Sequence, residues 1–407
     1  MRPLARLIAT VLVGFVLIGT TLVAPARADA GFDAWVRDFW PTAKAAGVSR
    51  GVYDAAFQGV TPDPEVLEKA RFQPEFTEPL WQYVEKRVSE KRIGGGRDML
   101  VRYRSLLDTI ESRYGVDRHT LVAIWGLESY YGEVLSDPKI VKSVVRSLAT
   151  LAYADRRRAK FARQQLVASL RILQRGDISI EGMTGSWAGA MGHTQFIPTT
   201  YEAYAVDFDG DGRRDLWNSP ADALGSAANY LHKAGWVSAT TWGYEVALPK
   251  DFNYRLAEDQ KSRPVSEWKK LGILRVRGED FPRPGDKGTL IAPAGAGGPA
   301  FLMLRNHFVI KRYNNSTAYS LAVGYLADRL RGGDAFTRPW PSDERTLTAE
   351  ESAELQQHLA RAGYYAGEID GKLGPASRAA IRAFQTGRGL VADGFPGLQL
   401  LQTLRSG

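Results

Sequence analysis

The sequence predicts a mainly α protein of the α+β class, with a small β-containing insertion and a three-helix module at its C-terminal end. Three observations predict it. Apolar residues recur at helical spacing over 32–57, 96–114, 117–131 and 141–174. Short β-patterned runs cluster between Trp242 and Tyr313, set apart by turns such as Pro282-Arg283-Pro284-Gly285. A stretch from Gly332-Gly333 to Arg338-Pro339-Trp340-Pro341-Ser342-Asp343 carries two glycines and two prolines, which forbid regular structure there. The expected organisation is a leader over 1–28, a large domain over 31–333, a linker over 334–345 and a small module over 346–407.

The leader comes first. Arg2 and Arg6 precede an apolar run from Leu7 to Ala24, followed by the small-x-small pattern Ala26-Arg27-Ala28. This reads as a secretory signal, cut before Asp29 or after Ala30, and it places the mature chain outside the cytoplasm. The run spans about 18 residues, near the minimum for a membrane span, so an uncleaved anchor is the alternative. The chain has no cysteine. Disulfides, a lipid anchor on cysteine and thiolate zinc sites are therefore excluded.

Over the whole chain, 44% hydrophobic and 24% charged residues are a globular balance. Net charge is +8. Arg2, Arg6 and Arg27 leave with the signal, which brings the count to about +5. Such an excess suits an anionic polymer, cell wall or nucleic acid. Export argues against nucleic acid.

Within the large domain a further helix is expected over 221–234. Tyr244-Glu245-Val246-Ala247-Leu248, Thr289-Leu290-Ile291 and Phe308-Val309-Ile310 read as strands, and 314–330 returns to helix. In the module, Thr348 and Glu351 form a capping box ahead of Leu355, Leu359 and Ala362, with Gly363 as a stop. Asp370-Gly371 makes a turn, Pro375 opens a second helix bearing Ile381 and Phe384, and Leu398, Leu401 and Leu404 mark a third.

Glu128 is the most informative residue. Leu121, Ile124, Trp125 and Glu128 stand at i, i+3, i+4 and i+7, which puts a carboxylate in an apolar stripe. An unpaired buried carboxylate raises its pKa, and a protonated glutamate can hand a proton to a leaving oxygen, as cleavage of a glycosidic bond requires. The bland alternative is a helix-end glutamate paired with a base. Gly126 removes a side chain beside the acid, Gly132 ends the helix, and Tyr130 and Tyr131 offer flat faces suited to sugar rings.

The block from Gly185 to Pro198 is dense in small residues, so a backbone or a ligand can approach closely. Ser186, Gln195 and Tyr230 are candidate hydrogen-bonding groups there; tight helix packing is the alternative. Asp207, Asp209 and Asp211 occupy positions 1, 3 and 5 of a calcium-loop pattern, Gly212 position 6 and Asp215 position 9. Position 12 is Asn218, and Asp222 is placed to supply the missing carboxylate. Asp215 either coordinates through water or not at all, and a plain Asp/Gly turn is the alternative. The run Arg156-Arg157-Arg158-Ala159-Lys160 reads as a solvated helix face. His119, His193, His232, His307 and His358 show no metal-ligand spacing, and no Walker, dinucleotide or nucleophile-elbow pattern occurs.

Ala123-Ile124-Trp125-Gly126-Leu127-Glu128-Ser129-Tyr130-Tyr131-Gly132, the 185–198 block, the aspartate loop and Arg312-Tyr313-Asn314 together resemble the lytic murein transglycosylase B family over residues 31–333. The resemblance implies a lysozyme-like catalytic domain. It also implies non-hydrolytic cleavage of the β-1,4 bond between N-acetylmuramic acid and N-acetylglucosamine, leaving 1,6-anhydro ends. Glu128 would be the sole acid–base, with Tyr83, Ser186, Gln195, Tyr230, Tyr313, Asn314 and Tyr319 lining the cleft. Structural calcium is implied at Asp207, Asp209, Asp211, the Arg213 carbonyl and Asp222, with no cofactor needed for catalysis. Relative to the family pattern one residue is inserted between Trp217 and Asp222.

The module resembles a three-helix peptidoglycan-binding domain through Asp370-Gly371, Gly374-Pro375 and Ala383-Phe384-Gln385. Peptidoglycan strands are thus the expected partner, with other cell-wall enzymes as candidates, and a soluble periplasmic location follows. The alternatives are a hydrolytic muramidase, which needs a second carboxylate, and a non-catalytic wall-binding protein.

Overall fold

The computed structural model describes residues 30–71 and 78–406. The expected signal over 1–28 lies outside them. Among the described residues no helix is long and apolar enough to cross a membrane.

Several expected helices are interrupted, each for a local reason. The stretch 32–57 becomes Ala30–Ala45 and Arg50–Phe57, parted at Gly47, with Ser49 accepting a hydrogen bond from Val52 N as the new N-cap. The stretch 96–114 becomes Glu90–Arg102 and Arg104–Tyr114, meeting at Tyr103. The stretch 141–174 becomes Val144–Ala154 and Ala159–Arg175. Between them the Asp155 carboxylate accepts from Arg157 N and Arg158 N. The basic run therefore begins in a turn, not on a helix face.

Among the described residues the large domain has two principal apolar cores and a smaller cluster of Val66, Ala70, Leu151, Ala152 and Ala162. One principal core surrounds the Arg118–Ser129 helix and includes Leu121, Ile124, Trp125, Leu224 and Leu326. The other joins the Ala30–Phe57 helices to the 144–175 pair and includes Phe39, Leu148, Leu166 and Tyr201. Tyr230 and Tyr313 pack against both. The seam between the cores is thus lined by two residues already singled out in the sequence.

The strands are β1 (Lys142–Ser143), β2 (Thr184–Gly185), β3 (Gly243–Ala247), β4 (Ser262–Pro264), β5 (Leu274–Arg275), β6 (Lys287–Ile291) and β7 (Ala300–Met303). The last five form an antiparallel sheet in the order β4-β6-β7-β3-β5. Alternation along β7 explains its place. Phe301 and Met303 enter the core around Trp125, while Ala300 and Leu302 enter a separate core with Trp268 and Leu290. The insertion is therefore fastened to the large domain through one face of its sheet. The expected strand at Phe308-Val309-Ile310 is instead part of the Arg305–Tyr313 helix. Val309 and Ile310 are buried there while Phe308 is exposed, a helical rather than an alternating distribution over His307–Ile310.

The module forms the helices Ala349–Arg361, Pro375–Gly387 and Leu398–Ser406 around Leu355, Leu359, Ile381, Phe384 and Leu401. Both halves of the capping box are present. Ala362 is an exposed C-cap residue and does not join the core. Residues 334–345 have no regular structure but are held in place. Glu245 of β3 accepts from Thr337 N at 2.8 Å and Arg338 N at 2.9 Å, and the Trp340 ring stacks on Trp81.

Candidate active site

The Arg118–Ser129 helix begins at Asp117, whose carboxylate caps it by accepting from Thr120 N at 2.9 Å. Every residue from Thr120 to Gly126 is buried. The helix thus has no wet face over that stretch, where the sequence pattern indicates one apolar stripe. Solvent returns at Leu127 and Glu128, both half-buried. Glu128 therefore sits where a buried helix emerges into the seam between the cores.

The four expected cleft tyrosines stand around that carboxyl or behind it. The Tyr319 hydroxyl donates to Glu128 Oε1 at 2.6 Å. Tyr313 stacks on Tyr319, with ring centroids 6.4 Å apart, and its hydroxyl donates to Thr194 O at 2.6 Å. Tyr230 meets Tyr313 edge-on at 5.2 Å and donates to Arg312 O. Tyr83 feels the Glu128 charge and carries Arg87 over its ring at 5.1 Å.

Burial pushes the Glu128 carboxyl up to about 7, against the opposing pull of the Tyr319 hydrogen bond and the Arg87 charge. Tyr313 and Tyr319 are driven well above the ordinary phenol range, first by burial and then by the neighbouring carboxylate. They remain neutral donors. The arrangement can hold and release one proton near neutrality.

Ser186 and Gln195 bond within their own loop. Ser186 Oγ accepts from Ala190 N at 3.1 Å, and Gln195 Nε2 donates to Gly192 O at 2.8 Å. Gln195 has φ +50, a left-handed conformation that a non-glycine residue adopts at a cost. The small residues of this block admit protein backbone: a Cβ on Gly192 would collide with Leu216 O. Asn314 is an exposed C-cap directly after Tyr313.

The tyrosines next to Glu128 differ from expectation. Tyr131 is packed inward, edge-on to Trp125 at 5.8 Å, with its hydroxyl donating to Arg92 O. A Cβ on Gly126 would come within 2.6 Å of its ring, so Gly126 makes room for Tyr131 rather than for a ligand. The Tyr130 face is covered by Arg92 at 4.6 Å and Lys91 at 5.0 Å. Tyr130, Tyr131 and Gly132 all have positive φ, a sharp reversal directly behind the acid.

Four supporting residues escape sequence reasoning. Arg92, 7% exposed, donates to Gly126 O at 3.0 Å and to Arg87 O, tying the end of the Glu128 helix to that of Leu80–Arg87. His193 accepts from Trp125 Nε1 at 3.0 Å through Nδ1, and burial pushes its pKa down to about 4, so the neutral ring carries its proton on Nε2. Ser129 Oγ donates to His193 O at 2.7 Å. Arg87, a counter-charge to Glu128, lacks any motif around it. The pair Trp125 and His193 was visible within the two motifs, but their contact was not.

In the aspartate loop, one ligand atom from each of Asp207, Asp209, Asp211 and Asp222 lies within 4.8 Å of the others. Asp222, fully buried, accepts from Phe208 N and Asp215 N, both at 2.7 Å, and burial raises its pKa. Asp215 and Asn218 bond to each other outside the cluster. Four converging carboxylates with no lysine or arginine paired to them, among the described residues, are a donor set suited to a hard divalent cation.

Comparison with known proteins agrees with this geometry. The family model described as "Transglycosylase SLT domain" matches residues 31–328, and one for a peptidoglycan binding domain matches 348–404. Membrane-bound lytic murein transglycosylase B of Escherichia coli (strain K12) is 31% identical over 261 residues, 61% of this chain. That match spans 66% of the relative's length, just under two thirds. The structure of SltB3 from Pseudomonas aeruginosa in complex with NAG-anhNAM-pentapeptide is 47% identical, covering 93% of this chain and 100% of that one, with a TM-score of 0.83. The Escherichia coli lytic transglycosylase Slt35 in complex with calcium is 26% identical over 74% of this chain and 93% of its own, with a TM-score of 0.60. The chain belongs to the lytic murein transglycosylase B family and ends in a peptidoglycan-binding domain.

Proposed function

We propose that this protein cleaves the MurNAc-β-1,4-GlcNAc bond of peptidoglycan without water, forming 1,6-anhydro-MurNAc ends. The observation that carries the reading is Glu128, a carboxyl raised to about 7 by burial and held by Tyr319 at 2.6 Å. In its protonated form it donates to the bridging oxygen as that bond breaks. As carboxylate it then takes the proton of the muramic 6-hydroxyl while that oxygen bonds to the anomeric carbon. Glu128 ends protonated, ready for another turn. The substrate's N-acetyl group is the natural stabiliser of the cationic centre, as in substrate-assisted exceptions to the two-carboxylate rule. A relative of known structure holds an NAG-anhNAM ligand, which is the product class expected here.

A hydrolytic muramidase would need a second carboxylate to activate water. Among the described residues, the side chains that shift the Glu128 carboxyl are Tyr319 and Arg87, and neither is a carboxylic acid. Mass spectrometry of digested sacculi tests the reading directly: anhydro ends are lighter by one water, and reducing ends would overturn it.

Calcium is the cation proposed for the aspartate loop, held by Asp207, Asp209, Asp211 and Asp222 with the Arg213 carbonyl beside them. It would offset part of the cluster's negative charge and lock the loop onto the Pro220–Lys233 helix, on which Tyr230 stands. The C-terminal domain is proposed to hold the enzyme on the insoluble wall. Export to the periplasm is proposed from Arg2, Arg6 and the apolar run that follows them.

A further inference from the structure

Arg92 is a buried charge, and among the described residues no carboxylate pairs with it. Its Nε donates to Gly126 O at 3.0 Å and its Nη1 to Arg87 O. The guanidinium also lies over the Tyr130 ring, 4.6 Å from the centroid. Taking such a group out of water is expensive, and burial lowers its pKa. Both carbonyls belong to the last turns of helices, Leu80–Arg87 and Arg118–Ser129, where a cation is best received. A methionine would fill the same space without that desolvation cost. The charge is therefore used for the two bonds it makes.

Those bonds set one helix against the other. Tyr83 and Arg87 stand on the first helix, and Glu128 follows Gly126 near the end of the second. The titratable groups that face the acid are Tyr83 and Arg87, with Tyr313 and Tyr319 from the helices Arg305–Tyr313 and Thr317–Leu330. Arg87 is the cation among them. Its side chain is exposed and lies 5.1 Å over the Tyr83 ring, and an exposed arginine has many rotamers. Where its backbone is held decides how close the charge comes to Glu128. The chain leaves Arg87 through Val88 and enters the Glu90–Arg102 helix at Ser89, whose Oγ accepts from Arg92 N at 3.3 Å. From there the Arg92 side chain reaches back across the corner and closes it on Arg87 O.

We propose that Arg92 is a positioning residue for the acid: by clamping the carbonyls of Arg87 and Gly126 it fixes how far the Arg87 guanidinium stands from the Glu128 carboxyl. The inference rests on the transglycosylase reading and deepens it, because the pH range in which Glu128 works is then set by a residue that acts through another.

The test uses the full chain and follows kcat/KM for release of anhydro ends from soluble glycan strands at about pH 6 and pH 9, on either side of the acid's titration. Each protein is compared with itself at the two values, so a loss of folded enzyme cancels in the ratio. Arg87→Gln removes a charge that favours the carboxylate, so the alkaline limb moves up. The ratio of the higher to the lower pH is expected to rise about threefold, as a shift of about half a pH unit gives. Arg92→Lys keeps a positive charge but lacks the planar fork that reaches two carbonyls at once, and it is expected to raise the ratio in the same direction. Added to Arg87→Gln it is expected to raise the ratio no further, since the charge it positions is gone. An Arg92→Lys protein that melts at a lower temperature with an unchanged ratio overturns the positioning role and leaves a structural one. Rises that add in the double variant, or an unchanged ratio in Arg87→Gln, overturn action through Arg87. Absence of anhydro ends with the unmodified protein overturns the transglycosylase reading instead, and the positioning role with it.

Discussion

The Tyr319 hydroxyl reaches Glu128 Oε1 at 2.6 Å and joins two helices whose contacting residues are 191 positions apart in the chain. The contact has two opposed effects. It orients the carboxyl toward the cleft, and it stabilises the charged form that burial disfavours. Burial wins, and the acid keeps its proton to near neutrality.

Glu128→Gln keeps the shape and loses the proton. Anhydro product from sacculi is expected to fall about a thousandfold or more, within the range for removal of a general acid–base. The same variant reports on burial through its melting temperature. The folded pKa is raised, so ionisation costs the native state nothing below the ordinary carboxylate range, and the cost grows as pH rises through about 7. The variant's melting temperature relative to the unmodified protein is thus expected to climb between about pH 4.5 and 7 and then level off. A flat difference across that window would contradict a desolvated carboxyl.

Tyr319→Phe removes a hydrogen bond that favours the carboxylate, so the Glu128 pKa is expected to rise further. The alkaline limb of the kcat/KM profile then moves to higher pH, even as poorer orientation lowers the maximum. A limb that stays in place or moves down would disconnect this hydroxyl from the acid.

Chelation addresses the aspartate loop. Removing calcium from a site held at a hundredfold excess over Kd costs about 2.7 kcal/mol, which calorimetry with and without chelator resolves as a lower melting temperature. Asp209→Ala is expected to abolish the calcium-dependent shift. Identical melting curves in calcium and in chelator would count against any metal there.

Gly126→Ala places a methyl within 2.6 Å of the Tyr131 ring in a packed interior. A loss of about 1–3 kcal/mol in denaturant unfolding is expected, with reduced activity because the Tyr131 reversal sits directly behind Glu128. Full stability would show that the ring has room to move.

Deleting residues 345–407 is expected to reduce the fraction of enzyme that pellets with sacculi, since one of two wall contacts is lost. Equal pelleting by the shortened and full chains would remove wall binding from the module.

Much of the site was legible because its motifs are local. Glu128 and the Arg118–Ser129 helix follow from spacing within a dozen residues, and Asp207, Asp209 and Asp211 from a fixed loop pattern. Asp222 was found by distance from that loop, and the structure brings it in. What escaped depends on contacts between distant segments. Arg92 is an ordinary surface residue by sequence and a buried cap in the fold. His193 shows no ligand spacing, and its role appears only with the indole of Trp125 against it. Phe308-Val309-Ile310 misled because three apolar residues are too few to separate the two periodicities. The linker has no regular structure, as expected, but its attachment was not legible. Prolines and glycines exclude helix and strand, yet they do not prevent fixed attachment through Glu245 and Trp340.

That attachment has a consequence for how the enzyme meets its polymer. Trp340 touches Trp81 and Phe301, and Phe395 of the module lies 6.0 Å from Trp81, so four aromatic rings weld three parts of the chain together. A leash would let anchor and blade tumble independently. Welded, they share one heading: the angle at which the anchor lands on murein is also the angle at which a strand arrives at the blade.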